Sequence, residues 1–515
     1  MATKVQTAAL FGLRCALVEV EADTSASLPG MFIVGLPDKA VDESRERVRS
    51  AIKNSGLSMP KQKVTINLAP ADLKKEGPAY DLPIAVSILQ ATGQLPPLTD
   101  WRSYILVGEL ALDGTVRPVT GVLSICIEAK SRGVKYIIVP QANAAEASLV
   151  TGVTVLPIQS LADVVDHFYL RRIIHPQKYL LQQQSEPVVV SHVVDLAHIR
   201  GQHHAKRALE IAAAGGHNVL LSGPPGAGKT MLASAMVSIL PPLTTSEALE
   251  VSRIYSVVGR LNHQQPLIRQ RPFRSPHHTA SAVALIGGGS VPKPGEISLA
   301  HRGVLFLDEF PEFPRPVLET LRQPLEAGIV TVSRASGSVE FPASFMLVAA
   351  MNPCPCGYFG DLEKECKCTA NETMKYQKKI SGPLLDRIDI QIEVPRISIN
   401  ELRERHGEIL HHSTEEALRL KIQRAKGIQT RRFKETHQKI LNNGEMSSKL
   451  TDKLIKINEE AEDFLKKILE KNFISARGYY RTLKVAQTIA DIEESPEIKK
   501  EHLAEAFQYR VKTNE

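Results

Sequence analysis

The period of apolar and polar positions changes along the chain, and the changes divide it into four stretches. Over 1–172, short β-branched runs bounded by Gly and Pro read as strands: FIVGLP (32–37), KVTINLAP (63–70) and YILVGELAL (104–112). Between the first two, DKAVDESRERVRSAIKNSG spaces its apolar residues at helical intervals behind Asp38, a candidate N-cap, and stops at Gly56. The segment RRIIHPQKYLLQQQSEPVVV, with its prolines and glutamine run, predicts a linker over 173–192. From 193 to 395 apolar strands alternate with helical stretches, as in a parallel sheet covered by helices. From 396 to 515 charged sequence with Leu at helical spacing and few prolines predicts a helical domain. No short-period repeat is present.

Length agrees with this division, since 515 residues exceed one ordinary core and predict two to four domains. Hydrophobic content of 43% and charged content of 23% are those of a globular protein, not a disordered one. No apolar run approaches the roughly 18–20 residues that span a bilayer, so no membrane contact is expected. The start, MATKVQTAALFGLRCALVEVEAD, lacks a secretory pattern, which predicts a cytoplasmic protein with reduced cysteines. A net charge of +7, interspersed with acids, permits contact with a polyanion without demanding it.

The most specific chemistry lies in HNVLLSGPPGAGKTMLASAM (217–236). An apolar strand leads into Gly223-Pro224-Pro225-Gly226-Ala227-Gly228-Lys229-Thr230 and then a helix, the setting that gives the G-x-x-x-x-G-K-[ST] pattern its meaning. The glycines let backbone N–H groups curl round phosphates, and the helix N-terminus adds its dipole. Lys229 would reach the β- and γ-phosphates of ATP, and the Thr230 hydroxyl would ligate Mg²⁺. GVLFLDEF (303–310) supplies a buried strand ending in two acids: Asp308 to hold Mg²⁺, Glu309 to polarise the attacking water. The reaction class is NTP hydrolysis.

Four of the six cysteines fall in AAMNPCPCGYFGDLEKECKCT (349–369), as C-x-C, nine residues, C-x-C. Cys354, Cys356, Cys366 and Cys368 could close a tetrahedral Zn²⁺ site with no open position for catalysis. Reduced thiols without metal, or redox pairs, are the other readings of this spacing. Cys15 and Cys126 lie in apolar sequence and read as core residues; His277 and His278 in PHHTAS have no further ligand at metal spacing and read as structural or substrate-contacting.

GQHHAKRALEIAAAGGHNVLLSGPPGAGKT, PHHTASAVALIGGGSVPKPGEISLAHRGVLFLDEFPEF, LRQPLEAG, MNPCPCGYFGD and SGPLLDRIDI together resemble the magnesium-chelatase-like AAA+ ATPases of the ComM/YifB type, over essentially the whole chain. The resemblance implies a multidomain α/β protein. Its parts would be a Lon-protease-like (S5 domain 2-like) N-terminal α+β domain, an AAA+ P-loop NTPase core and an α-helical C-terminal lid. It further implies a homo-oligomeric, hexameric ring acting on branched or single-stranded DNA without regard to sequence, as in branch migration during homologous recombination and natural transformation. Asn352, ending the strand-like FMLVAAMN, then falls at the sensor-1 position, and Arg387 in SGPLLDRIDI at the arginine finger of a neighbouring subunit's site. Such a finger can be worth about 10³–10⁵ in rate. The competing reading of Arg387 is an ordinary pair with Asp386 or Asp389. Arg477 in FISARGYYRTLKVAQTIADIE falls at sensor 2, with Arg481 one helical turn on as a second candidate. TASAVALIGGGSVPKPGEISLAH resembles an insertion hairpin, and GIVTVSRASGSVEFPASF a pre-sensor-1 hairpin whose Arg334 would grip DNA phosphates in the pore.

KKEGPAYDLPIAVSILQATGQL resembles the Lon-type protease domain without its Ser–Lys dyad. Ala79 follows Gly77-Pro78 where the serine would stand, and the lysine's place falls near Leu123. With neither nucleophile nor base, acyl transfer has no route, so a scaffold is expected instead of a protease. The rival readings are a chelatase-type or unfoldase ATPase remodelling a protein partner. The former calls for a von Willebrand-type metal-adhesion motif, whose D-x-S-x-S spacing is not expected here.

Overall fold

The computed structural model describes residues 3–96, 100–178, 195–196, 199–289, 292–334, 337–361, 363–397, 411–436, 440–471 and 475–510. Most of the expected linker, from 179 on, lies outside them, as do the tips of both hairpins and the Arg334 side chain.

The N-terminal domain is a seven-stranded mixed sheet in the order Gly30–Val34, Lys63–Ala69, Arg14–Ser25, Thr3–Phe11, Tyr104–Leu106, Tyr136–Pro140, Thr154–Ile158. Helices Lys39–Asn54 and Asp81–Ala91 close one core with it. Asp38 caps the first as expected, its carboxylate accepting from Val41 N at 2.8 Å. Two strand expectations are corrected. YILVGELAL is not one strand: Tyr104–Leu106 joins the sheet, while Glu109–Leu110 pairs with Val116–Arg117 in a separate ribbon. Gly108 between them is drawn off the ladder, its N–H donating to Ala79 O and its carbonyl accepting from Leu82 N, both at 3.1 Å. FIVGLP begins earlier and ends at Val34, because its partner strand is matched in parallel from Gly30↔Lys63 to Val34↔Asn67.

Asp23, Ser25 and Ser27 do match the D-x-S-x-S spacing, against expectation. They are the paired end of a strand, with Asp23 opposite Thr65 and Ser25 opposite Lys63, and the turn after it. Among the described residues no cluster of acids and histidines gathers there to hold a metal.

The central domain is a five-stranded parallel sheet, ordered Phe273–Arg274, Val304–Leu307, Met346–Met351, Val219–Ser222, Ile390–Glu393. Both resemblance-based hairpins are present: Gly287–Gly288 pairs with Lys293–Pro294, and Ile329–Arg334 with Gly337–Pro342. The second buries Val330, Val332, Val339 and Phe341 on one face, where Leu13 from the N-terminal domain joins the same cluster. A buried polar joint fixes that contact further. Arg253 Nε donates to Ser124 Oγ at 3.0 Å, and Glu146, whose carboxyl is pushed up by burial, accepts from Leu123 N at 2.9 Å and from the Ser256 hydroxyl.

The C-terminal segment is helical as predicted, with helices His411–Lys434, Ser448–Leu454, Glu459–Lys471, Ala476–Ile492 and Lys500–Gln508. Among the described residues its main core is shared: Ile422, Ala425, Leu483 and Ile489 pack in one cluster with Ala208, Ile211, Val219 and Ile390 of the central domain. Asp389 ties the two parts together. Its carboxylate is 3% exposed, pairs with Arg481, accepts from Asn218 N at 3.1 Å and lies 3.5 Å from His217 Nδ1. Burial opposes its charge, but Arg481 and His217 outweigh that and hold the carboxyl well below the usual range. Arg481, the second sensor-2 candidate, is thereby spent inside the chain, its Nη1 also donating to Arg387 O at 3.0 Å. Asp389→Asn leaves Arg481 without its counter-charge and is expected to destabilise the fold by about 3–5 kcal/mol, read by thermal unfolding at neutral pH. Because the folded carboxyl titrates low, its contribution is present above the ordinary carboxylate range and is lost only as pH falls through the folded value.

Candidate active site

Strand Val219–Ser222 is apolar because it is interior to the sheet, and it delivers the chain into residues 223–228 and helix Lys229–Ile239. Gly226 and Gly228 carry φ of +81° and +86°, a region L side chains avoid, and a Cβ on either would meet nothing within 4 Å. The loop therefore curls with an open inner side bounded by backbone and a helix N-terminus, the form of an anion cradle.

Lys229 is 9% exposed, and burial pushes its pKa down while Asp308 acts the other way. Its Nζ donates to Gly223 O at 2.6 Å, Pro224 O at 3.0 Å and Asn352 Oδ1 at 3.1 Å. All three acceptors are neutral, so a buried ammonium stands here without a bonded carboxylate, as a polyphosphate requires. The same contact brings Asn352, at the end of Met346–Met351, to the loop. Thr230 Oγ1 donates to Asp308 Oδ2 at 2.8 Å, so the two expected Mg²⁺ ligands already converge. These residues fit ATP and Mg²⁺.

Glu309 follows with left-handed backbone, φ 51° and ψ 44°, and a half-exposed side chain whose Oε2 lies 3.0 Å from His278 Nδ1. A non-glycine residue there is uncommon and marks a position fixed by its surroundings. His278 in turn lies against His277, ring centroids 4.1 Å apart. His278 thus touches the catalytic candidate itself, a role that the spacing of PHHTAS did not reveal. His278→Ala removes that contact, which between two partly exposed side chains is worth about 0.2–1 kcal/mol. It is expected to lower turnover by up to about fivefold with nucleotide affinity unchanged, read as a fall in kcat at constant Kd.

The two arginines lie apart from this network. Arg387 is 4% exposed; its guanidinium meets Glu326 Oε1 at 2.6 Å and Pro383 O at 2.6 Å. Neither Asp386 nor Asp389 is its partner, so the ordinary pairing considered from sequence is corrected to Glu326. Arg477, largely exposed at the start of helix Ala476–Ile492, reaches the same Glu326 oxygen at 3.5 Å. Arg387 first, then Arg477, holds the Glu326 carboxyl below the ordinary range. Glu326 and Arg477 border a cavity of about 940 Å³ at the amino ends of the core strands, beside Asn218 and Asp389. The phosphate loop is at the carboxyl ends, where ligands of open parallel sheets bind.

The four cysteine sulfurs lie within 4.8 Å of one another, with Cys354 3.4 Å from Cys356 and both 3.6 Å from Cys366. Four ligands at about 2.3 Å from one Zn²⁺ stand roughly 3.8 Å apart, so the donor set fits a tetrathiolate. Backbone N–H groups of Tyr358 and Lys367 hold the Cys356 thiol down to about 6, whereas burial and the neighbouring sulfurs push Cys366 and Cys368 up.

Three family models cover most of the chain: magnesium chelatase, subunit ChlI, over 195–402; subunit ChlI of Mg-chelatase over 20–143; and the ChlI C-terminal part over 412–510. The competence protein ComM of Haemophilus influenzae is 43% identical over 510 residues, covering 98% of this chain and 97% of the relative. This chain belongs to the ComM/YifB-type magnesium-chelatase-like family. The uncharacterized protein YifB of Escherichia coli is 44% identical over 509 residues, covering 98% and 96%. Lon protease 2 of Bacillus subtilis is 27% identical over 124 residues, 24% of this chain and 22% of the relative. The ComM/YifB-type chain is accordingly an AAA+-type ATPase, a class that implies ATP and Mg²⁺. Among its described residues no helix is long and apolar enough to cross a membrane.

Proposed function

We propose that the chain hydrolyses ATP and couples it to remodelling of branched or single-stranded DNA, in helicase-like branch migration during recombination and natural transformation. The observation that carries the chemistry is the joined network Lys229–Asn352 and Thr230–Asp308, with Glu309 alongside. Lys229 and the loop N–H groups bind the phosphates, Thr230 and Asp308 hold Mg²⁺, Glu309 takes the proton of the attacking water and Asn352 orients it. The DNA client is supported by full-length likeness to a competence protein and by two hairpins beside the core sheet. Arg334 ends a strand of the second, where its charge would meet phosphates.

The active form is a homo-oligomeric, hexameric ring in the cytoplasm. Among the described residues Arg387 and Arg477 share Glu326 and have no bond to their own phosphate loop, which favours action on a neighbouring subunit's ATP. The N-terminal domain is a Lon-like scaffold, not a protease: Ala79, in the short 3₁₀ helix Pro78–Tyr80, carries no nucleophile, and the fully buried Leu123 carries no base. The four thiolates hold a structural Zn²⁺.

ATP turnover with and without branched DNA, alongside strand displacement, tests the reading, with Glu309→Gln as the inactive control. DNA stimulation and displacement by wild type alone support it. Turnover indifferent to DNA moves the client to a protein, as in the chelatase and unfoldase readings. Arg334→Ala is expected to weaken DNA stimulation with basal turnover nearly intact; loss of basal turnover removes the pore-loop role.

A further inference from the structure

We infer that the zinc clip seats the phosphate loop, so that metal occupancy sets nucleotide affinity; this rests on the reading of the four thiolates as a Zn²⁺ site. The clip lies in the stretch between strand Met346–Met351 and helix Ala370–Gln377, which carries no regular element among its described residues. A stretch of that length is entropically expensive to hold in one shape. Among its described residues the buried apolar side chain is Cys354, and Phe359 is more than half exposed, so apolar packing among them does little to fix it. Sulfur contributes directly. Phe359 N donates to Cys354 Sγ at 3.3 Å and Cys356 N to Cys368 Sγ at 3.4 Å, N–H···S bonds that orient thiolates around a metal.

The clip reaches the nucleotide site at Gly357, directly after Cys356. Gly357 has φ +86°, and its N–H closes a turn onto Cys354 O at 3.0 Å. A Cβ there would stand 2.7 Å from Pro225 Cδ, 2.8 Å from Pro225 Cγ and 3.8 Å from Asn352 Cγ. The backbone at Gly357 is thus pressed on the ring of a phosphate-loop proline and beside the amide that holds Lys229. On its other side the clip receives the chain leaving the last core strand: Arg396 Nε donates to Asp361 Oδ2, a 2%-exposed carboxylate, at 2.7 Å. One cross-linked loop therefore backs Pro225, Asn352 and the segment that leads to the C-terminal helices. Removing the metal releases Gly357 from Pro225 and loosens Asn352, and Lys229 loses a fixed acceptor.

The test uses the full-length protein. Zinc content is measured by elemental analysis, and affinity by titration with a fluorescent ATP analogue in Mg²⁺. The samples are wild type, wild type stripped with a zinc chelator and then washed, Cys366→Ser/Cys368→Ser, and Gly357→Ala. We expect one zinc per chain in wild type, and nucleotide affinity about 10–100-fold weaker after stripping or in the double variant, with re-added zinc restoring the stripped sample. Gly357→Ala should weaken affinity to a similar degree with its zinc retained, which separates the contact from the metal. If zinc is bound but the stripped protein, still folded by circular dichroism, binds nucleotide as tightly as before, the coupling is overturned and the zinc site stands. If wild type carries no zinc, the zinc reading itself falls and the inference with it.

Discussion

Glu309→Gln is expected to bind ATP as the wild type does and to hydrolyse it about 10²–10⁴-fold more slowly, the range supplied by a positioned general base. The amide keeps the shape of the carboxylate and the left-handed turn at φ 51°, but it cannot take a proton from water. The binding groups are elsewhere: Lys229 with Asn352, and Thr230 with Asp308. Asp308→Asn makes the informative contrast, since it removes charge from the metal pair and should weaken Mg²⁺-dependent binding as well as turnover. Nucleotide titration beside single-turnover hydrolysis separates the two. A Glu309→Gln protein that hydrolyses near the wild-type rate would assign the base to another residue.

The phosphate loop was legible because its chemistry is written in consecutive residues: the turn, the lysine and the metal-binding hydroxyl must follow one another on a strand–loop–helix path. The cysteine pairs were legible for the same local reason. What was not legible is what distant segments do to each other on packing. Nothing in PHHTAS says that His278 will face Glu309, and nothing in LRQPLEAG says that Glu326 will gather Arg387 and Arg477. Gln202 is a third case: at the start of helix His203–Gly215 its amide donates to Pro395 O at 2.7 Å and to Ala227 O at 3.4 Å, joining the loop to the end of the last strand. The strand errors have a similar origin, since β propensity marks YILVGELAL as one run while hydrogen bonds to Ala79 and Leu82 divide it. Arg481 looked like Arg477 from sequence, and only the buried carboxylate of Asp389 distinguishes them.

Arg387→Ala is expected to lower turnover of the assembled protein by about 10³–10⁵-fold while sparing ATP binding, as loss of an arginine finger does. In the single chain this arginine is buried and held at 2.6 Å by Glu326, so to act as a finger it would have to exchange that carboxylate for a phosphate when a neighbour's nucleotide arrives. The exchange is physically reasonable because Glu326 is itself half exposed and already shared with Arg477 at 3.5 Å. If Arg387 were only a structural partner of Glu326, Glu326→Gln would damage the protein as Arg387→Ala does. If Arg387 is a finger, Glu326→Gln should preserve or raise turnover. Mixing decides between subunits. Arg387→Ala chains keep an intact phosphate loop, and Lys229→Ala chains keep an intact Arg387. Each alone should be inactive, whereas mixed rings should regain hydrolysis at every junction where a Lys229→Ala subunit presents its arginine to an Arg387→Ala subunit's ATP. A finger acting within its own chain predicts no recovery at any mixing ratio, because no single chain in the mixture then has both parts.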